Sequence, residues 1–173
     1  YLFVLIILTP YVLFESPTII NALRESPLIL IGAALSLMIA TFMNMEALKT
    51  EELSYIAPLN SFVPIFTLLI ALLFLDEAPP IFGVVGIAIT FIGAYLINIK
   101  PDRLKWYDPI KHMFTNKGAL LSIGVAFGYA INTVLMKQAS NNGHNEFTIM
   151  FLMTLIGWIF LAYVPITKRG ELK

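Results

Sequence analysis

Residues 53–98 read LSYIAPLNSFVPIFTLLIALLFLDEAPPIFGVVGIAITFIGAYLIN, two apolar spans joined by only five residues, Asp76-Glu77-Ala78-Pro79-Pro80. The first span carries Pro58, Asn60, Ser61 and Pro64 where a membrane anchor would carry leucine. Pro64 has no N–H to donate to the carbonyl four residues back, which belongs to Asn60, and Pro58 does the same to Ser54. Asn60 is therefore expected to present an amide and an unpaired carbonyl at one point in the span. Freed carbonyls at membrane depth are tolerated where protein or a water-filled cavity satisfies them. A packing kink satisfied by a neighbouring helix and a cavity wall are both consistent with this pattern.

The rest of the chain has the same character. Of its 173 residues 58% are hydrophobic and 13% charged, against about 25% charged in soluble domains. A hydrocarbon core takes about 20 apolar residues to cross. Residues 28–48, 53–75, 81–99, 118–136 and 147–166 meet that length, and residues 1–14 form a shorter sixth span. The fold class is all-α, a polytopic transmembrane helix bundle. Because residue 1 is a Tyr inside an apolar run, the chain is expected to be a piece of a longer protein.

The formal net charge is zero, so no electrostatic basis for binding nucleic acid exists. The absence of cysteine removes disulfides and thiolate chemistry. No HExxH, GxSxG, phosphate-binding loop or paired intramembrane aspartate occurs, so neither catalytic nor metal residues are assigned, no cofactor is implied, and an enzyme is not expected. His112, in the linker, and His144, in the Asn141-Asn142-Gly143-His144-Asn145 loop, are expected to be solvated.

Connections are short, with residues 15–27 and 49–52 read as loops. The exception is 100–117, where Leu104, Tyr107, Ile110 and Phe114 recur at helical spacing among five basic residues. That pattern suits an amphipathic helix in the headgroup layer. Nine of the 11 Lys and Arg lie on the side of this linker and two, Arg24 and Lys137, on the other. The positive-inside rule then makes the linker cytoplasmic.

Small residues line one face of several spans: Gly83, Gly86, Thr90 and Gly93; Gly124, Gly128 and Asn132; Gly32, Ser36, Ala40 and Asn44. Such stripes let helices approach closely in lipid, and the glycines are assigned to packing. In the 53–75 span Asn60, Pro64, Thr67 and Ala71 share a face. Ser122, Tyr129 and Thr133 lead toward Lys137. Asn60, Pro64 and Thr67 are the first candidates for a substrate cavity, with Asn44, Tyr129, Asn132 and Thr133 behind them.

Ala47-Leu48, Leu53 to Pro58, Pro64 to Leu69, Leu75-Asp76-Glu77 and the Gly83, Gly86, Gly93 face together resemble the EamA repeat of the drug/metabolite transporter superfamily. In that family a repeat has five helices, the fourth carrying a proline and closing with a glutamate; Pro64 and Glu77 stand at those positions. The resemblance implies a ten-helix transporter of two inverted repeats. Residues 1–99 would be the first repeat without its first helix, 100–117 the linker, and 118–173 the first two helices of the second. It implies a cavity lined by the 28–48, 53–75 and 118–136 helices, with Glu77 capping a tight turn. The family usually keeps both termini in the cytoplasm, which puts the linker outside, opposite to the Lys/Arg count.

The expectation is thus a secondary transporter of a small organic solute, working by alternating access in the plasma membrane of a prokaryote. Its partners would be the solute and the lipid bilayer; oligomeric state does not follow from these residues. The alternative is a non-transporting integral membrane protein, either a membrane-embedded enzyme or an assembly scaffold, and a channel is disfavoured by the lack of a filter-like loop.

Overall fold

The structure, a computed structural model, describes residues 2–14, 16–51, 53–75, 78–97 and 116–168. These form eight α-helices and no strand: α1 Leu2–Phe14, α2 Ser16–Glu25, α3 Pro27–Thr50, α4 Leu53–Leu59, α5 Phe62–Phe74, α6 Ile81–Ile97, α7 Lys117–Asn141 and α8 Glu146–Lys168. Residues 100–115 of the amphipathic linker and Glu77 lie outside the described residues.

Two of the helices, α3 with 24 residues and α7 with 25, are long and apolar enough to cross a membrane. At about 1.5 Å per residue each exceeds a hydrocarbon core of about 30 Å. Large apolar side chains remain exposed, with Phe82 at 84%, Leu28 at 83% and Phe3 at 77%. Water would drive such groups inward; hydrocarbon leaves them where they are.

Two expectations need correcting. Residues 15–27 are not a loop, because α2 occupies Ser16–Glu25 and α3 begins at Pro27. Each helix starts at a Ser-Pro step, and proline suits a first turn where its missing N–H costs little. On α2, Ala22 is buried and Ile19 half-buried, while Asn21, Arg24 and Glu25 are exposed. The 53–75 span, in turn, is two helices broken at Asn60-Ser61.

The chain divides into two compact units, Tyr1–Met38 with Leu135–Lys173, and Ile39–Val134. In the first, α8 packs against α1 and α2, around buried Ala22, Leu30, Ala33, Ile149, Leu152 and Met153. In the second, α6 packs against α4 and α5. The portions of α3 and α7 in each unit run antiparallel. Gly32 approaches Leu135 in the first unit; Met43 meets Gly124, and Glu51 meets Gly118, in the second.

Candidate functional site

All seven cavity candidates fall in the Ile39–Val134 unit. Asn60 is exposed at the α4–α5 break, whereas Pro64 and Thr67 on α5 are half-buried. Asn44 on α3 and Tyr129 on α7 are half-buried, Asn132 is buried, and Thr133 is exposed with its hydroxyl donating to the Tyr129 carbonyl at 2.9 Å.

The break itself is tighter than the prolines alone imply. Ser61 keeps near-helical angles (φ −65°, ψ −10°). The Ser61 N–H donates to the Pro58 carbonyl at 3.1 Å, and the Val63 N–H to the Asn60 carbonyl at 3.0 Å. The Asn60 carbonyl is therefore not unpaired, contrary to expectation. Having lost the donor four residues on, it takes the one three residues on, as in a 3₁₀ turn. The side chain of Asn60 remains the polar group that the break exposes.

Contacts among four helices lie beside these residues. The Phe66 and Phe127 rings meet edge to face with centroids 5.6 Å apart, bringing α5 to α7. Phe62 meets Phe91 in the same way at 5.1 Å, bringing α5 to α6. One turn before Phe127, a Cβ added at Gly124 would collide with the Met43 methyl, so α3 also lies against α7. Asn44 adjoins Met43, Thr67 adjoins Phe66, and Tyr129 is two residues from Phe127. These contacts bring α3, α5 and α7 together along the stretches that hold most of the polar candidates.

The glycines differ sharply. At Gly118 a Cβ would run into the Glu51 side chain and the Thr50 hydroxyl. Asn116 completes that junction. Its amide oxygen accepts from the Gly118 and Ala119 N–H groups at 2.7 and 3.3 Å, capping α7, while its amide nitrogen donates to the Glu51 carboxylate. Gly86 and Gly93, by contrast, have open space where a Cβ would stand, and the atoms nearest a Cβ at Gly83 are those of Pro79 and Pro80 just before it. Gly128 is half-buried on α7.

A polar cluster that sequence reasoning missed sits in the other unit. His144 is 6% exposed, not solvated. The cause is the end of α7. Gly143 takes φ +87°, its N–H donates to the Ser140 carbonyl at 2.9 Å, and the His144 N–H reaches the Ala139 carbonyl at 3.4 Å. This pair of bonds is a Schellman termination, which turns the residue after the glycine back against the helix. An Asn-Gly pair at the end of an apolar helix was the available signal.

His144 Nε2 lies 3.3 Å from the Ser26 hydroxyl and 3.7 Å from the Glu25 carboxylate, and the Asn142 amide donates to Ser26 Oγ at 3.0 Å. Serine, histidine and glutamate make up some hydrolase relays. Those relays place the hydroxyl and the acid on opposite ring nitrogens, whereas here both approach Nε2. The cluster is a contact between the α2–α3 joint and the α7–α8 loop, not a relay. On α3, Glu46 is exposed and pairs with Lys49 at 3.0 Å, a surface contact.

Compared with known proteins, residues 1–99 match the model of the EamA-like transporter family. No curated protein and no solved structure matches the chain.

Proposed function

The chain belongs to the EamA-like transporter family, and from that premise we propose that it carries a small organic solute across a membrane by alternating access. Its place is an integral one in the bilayer, and the plasma membrane of a prokaryote is the setting we infer. In this reading residues 1–99 supply most of a first repeat and residues 118–173 open a second, within a ten-helix whole. The solute cavity is lined by Asn60, Pro64 and Thr67, with Asn44, Tyr129, Asn132 and Thr133 contributing, while Glu77 and the glycines of α6 and α7 have structural roles.

The observation that carries the proposal is the broken α4–α5 pair within a matched family region. A helix interrupted at Asn60-Ser61 exposes an amide side chain, and α3, α5 and α7 come together beside it. Broken helices are a recurrent way for transporters to present polar groups to a solute. An exposed Asn60 has little to do for packing, so its presence in an apolar segment is better explained by a ligand or by cavity water.

The test is uptake into vesicles containing the full-length protein. A defined metabolite mixture is offered outside, and the lumen is read by mass spectrometry. The unsubstituted protein is expected to accumulate at least one solute over empty vesicles. Asn60→Leu is expected to abolish that uptake with insertion and abundance unchanged. Normal uptake by this variant removes Asn60 from the site.

A further inference from the structure

We propose that the Ser26–Asn142–His144 contact is a gate latch, closed in this structure, which must part for the solute to pass. The inference rests on the alternating-access reading and adds to it the place where one end of the pathway is held shut. Three features of the Tyr1–Met38 with Leu135–Lys173 unit support it.

The first is what the latch joins. Ser26 closes α2 and precedes α3, inside the matched family region; Asn142 and His144 follow α7, outside that region. In the two-repeat reading it therefore links one repeat to the other, and rocking of the repeats must change it. The second is what lies with it. Ala22 and Leu30, one turn to either side of Ser26, and Ala139 before the loop are fully buried, joined by Ile149 and Leu152 of α8. The polar clasp thus sits beside a buried apolar cluster of the same unit.

The third is the kind of bond. Ser26 and His144 are 3% and 6% exposed, yet each of their contacts is one that water can replace. The hydroxyl accepts from Asn142 and can donate its O–H to an unprotonated His144 Nε2. Breaking one such contact shifts an open–closed ratio about two- to twelvefold, the range in which a conformational equilibrium can be biased without being frozen. Glu25 is the charged group within ion-pair distance of the imidazole; Arg24 adjoins it on α2, Lys137 stands in the last turns of α7, and Glu146 opens α8.

A metal lock tests the latch. Ser26→Cys places a thiolate near His144 Nε2, at a site where the native oxygen stands 3.3 Å away. A Zn²⁺ ion with bonds of about 2.3 Å to sulfur and 2.0 Å to nitrogen bridges two atoms about 3.5 Å apart. Uptake of the metabolite mixture is measured in the full-length protein with Zn²⁺ on both sides of the vesicle. Bound metal is quantified after gel filtration, and protection of the introduced thiol against a methanethiosulfonate reagent is followed in parallel. The expected result is protection, a fall in uptake of at least tenfold, and recovery on adding EDTA. Unsubstituted protein and the Ser26→Cys/His144→Ala pair should be insensitive.

Glu25→His, at a position whose side chain is 62% exposed, offers a second metal pair with His144 if the first variant folds poorly. Full uptake with the metal bound overturns the gate, as does failure of both variants to bind it. No uptake by the unsubstituted protein removes the transport reading itself, and the gate with it; the outcomes are therefore distinguishable.

Discussion

The two units differ in how they hold the polar groups of their central contacts. In Tyr1–Met38 with Leu135–Lys173, Ser26 and His144 are buried and bonded to each other beside an apolar cluster. In Ile39–Val134, Ser122 and Asn132 are buried, but Asn60 and Thr133 are exposed, Asn44, Thr67 and Tyr129 half-buried, and the helical run is broken at Asn60. A protein that only needed to stand in a bilayer would gain from the first arrangement and lose from the second. The Thr133 hydroxyl is met within its own helix by the Tyr129 carbonyl, whereas an exposed amide such as that of Asn60 calls for water, solute or further protein. In the proposed reading, the contrast is between a region that seals and one that receives the solute.

Close packing secures the second unit despite its break. Gly118 offers the largest expected effect because its missing Cβ would strike Glu51 and Thr50 at the junction capped by Asn116. Gly118→Val should destabilise by about 3 kcal/mol, the upper range of overpacking, read as a lower melting temperature in detergent. An unchanged melt would mean that this junction is loose and that the unit is held elsewhere. At Gly124 the colliding atom is the terminal methyl of Met43, a flexible end that can turn away, so Gly124→Ala should cost less.

Leu30→Ala probes the sealed unit. The side chain is fully buried. In water such truncations cost about 2–5 kcal/mol, part of it hydrophobic transfer. Lipid contributes no comparable transfer term, leaving the cavity and lost contacts, so about 2 kcal/mol is expected in the same melting assay. Asn60→Leu should reverse the pattern, with uptake falling at least tenfold and the melt unmoved. If both variants lowered stability alike, the division into sealing and receiving regions would fail.

How much of this was legible in the sequence differs by element. Span positions follow from apolar length, and a disturbance near Asn60 from two prolines six residues apart, but not the division of 53–75 into two helices. The fate of the Asn60 carbonyl does not follow, because a backbone can tighten by one residue and find the Val63 N–H. The helix over Ser16–Glu25 was hidden because Glu-Ser-Pro reads equally as a turn and as a helix start. His144 is harder still. Its turn is written in Asn142-Gly143, but burial depends on where Ser26 arrives, 118 residues away along the chain. Polar residues in the spans could be named one by one; which of them share a cavity wall depends on helix neighbours that periodicity does not specify.

The smallest expected effect tests the glycine face of α6. Gly86 and Gly93 resemble the packing stripes elsewhere, yet open space stands where their Cβ atoms would be. Alanine also relieves the conformational freedom that makes glycine unfavourable in a helix by about 0.5–1 kcal/mol. Gly86→Ala should therefore leave the isolated protein unchanged or raise its melting point slightly, the opposite sign to Gly118→Val. A clear loss of stability would mean that another helix closes on this face within the bilayer. Comparing Gly86→Ala in detergent and in vesicles sharpens the point. A penalty confined to vesicles marks a contact that forms only in lipid, whereas none in either leaves this face without a packing role.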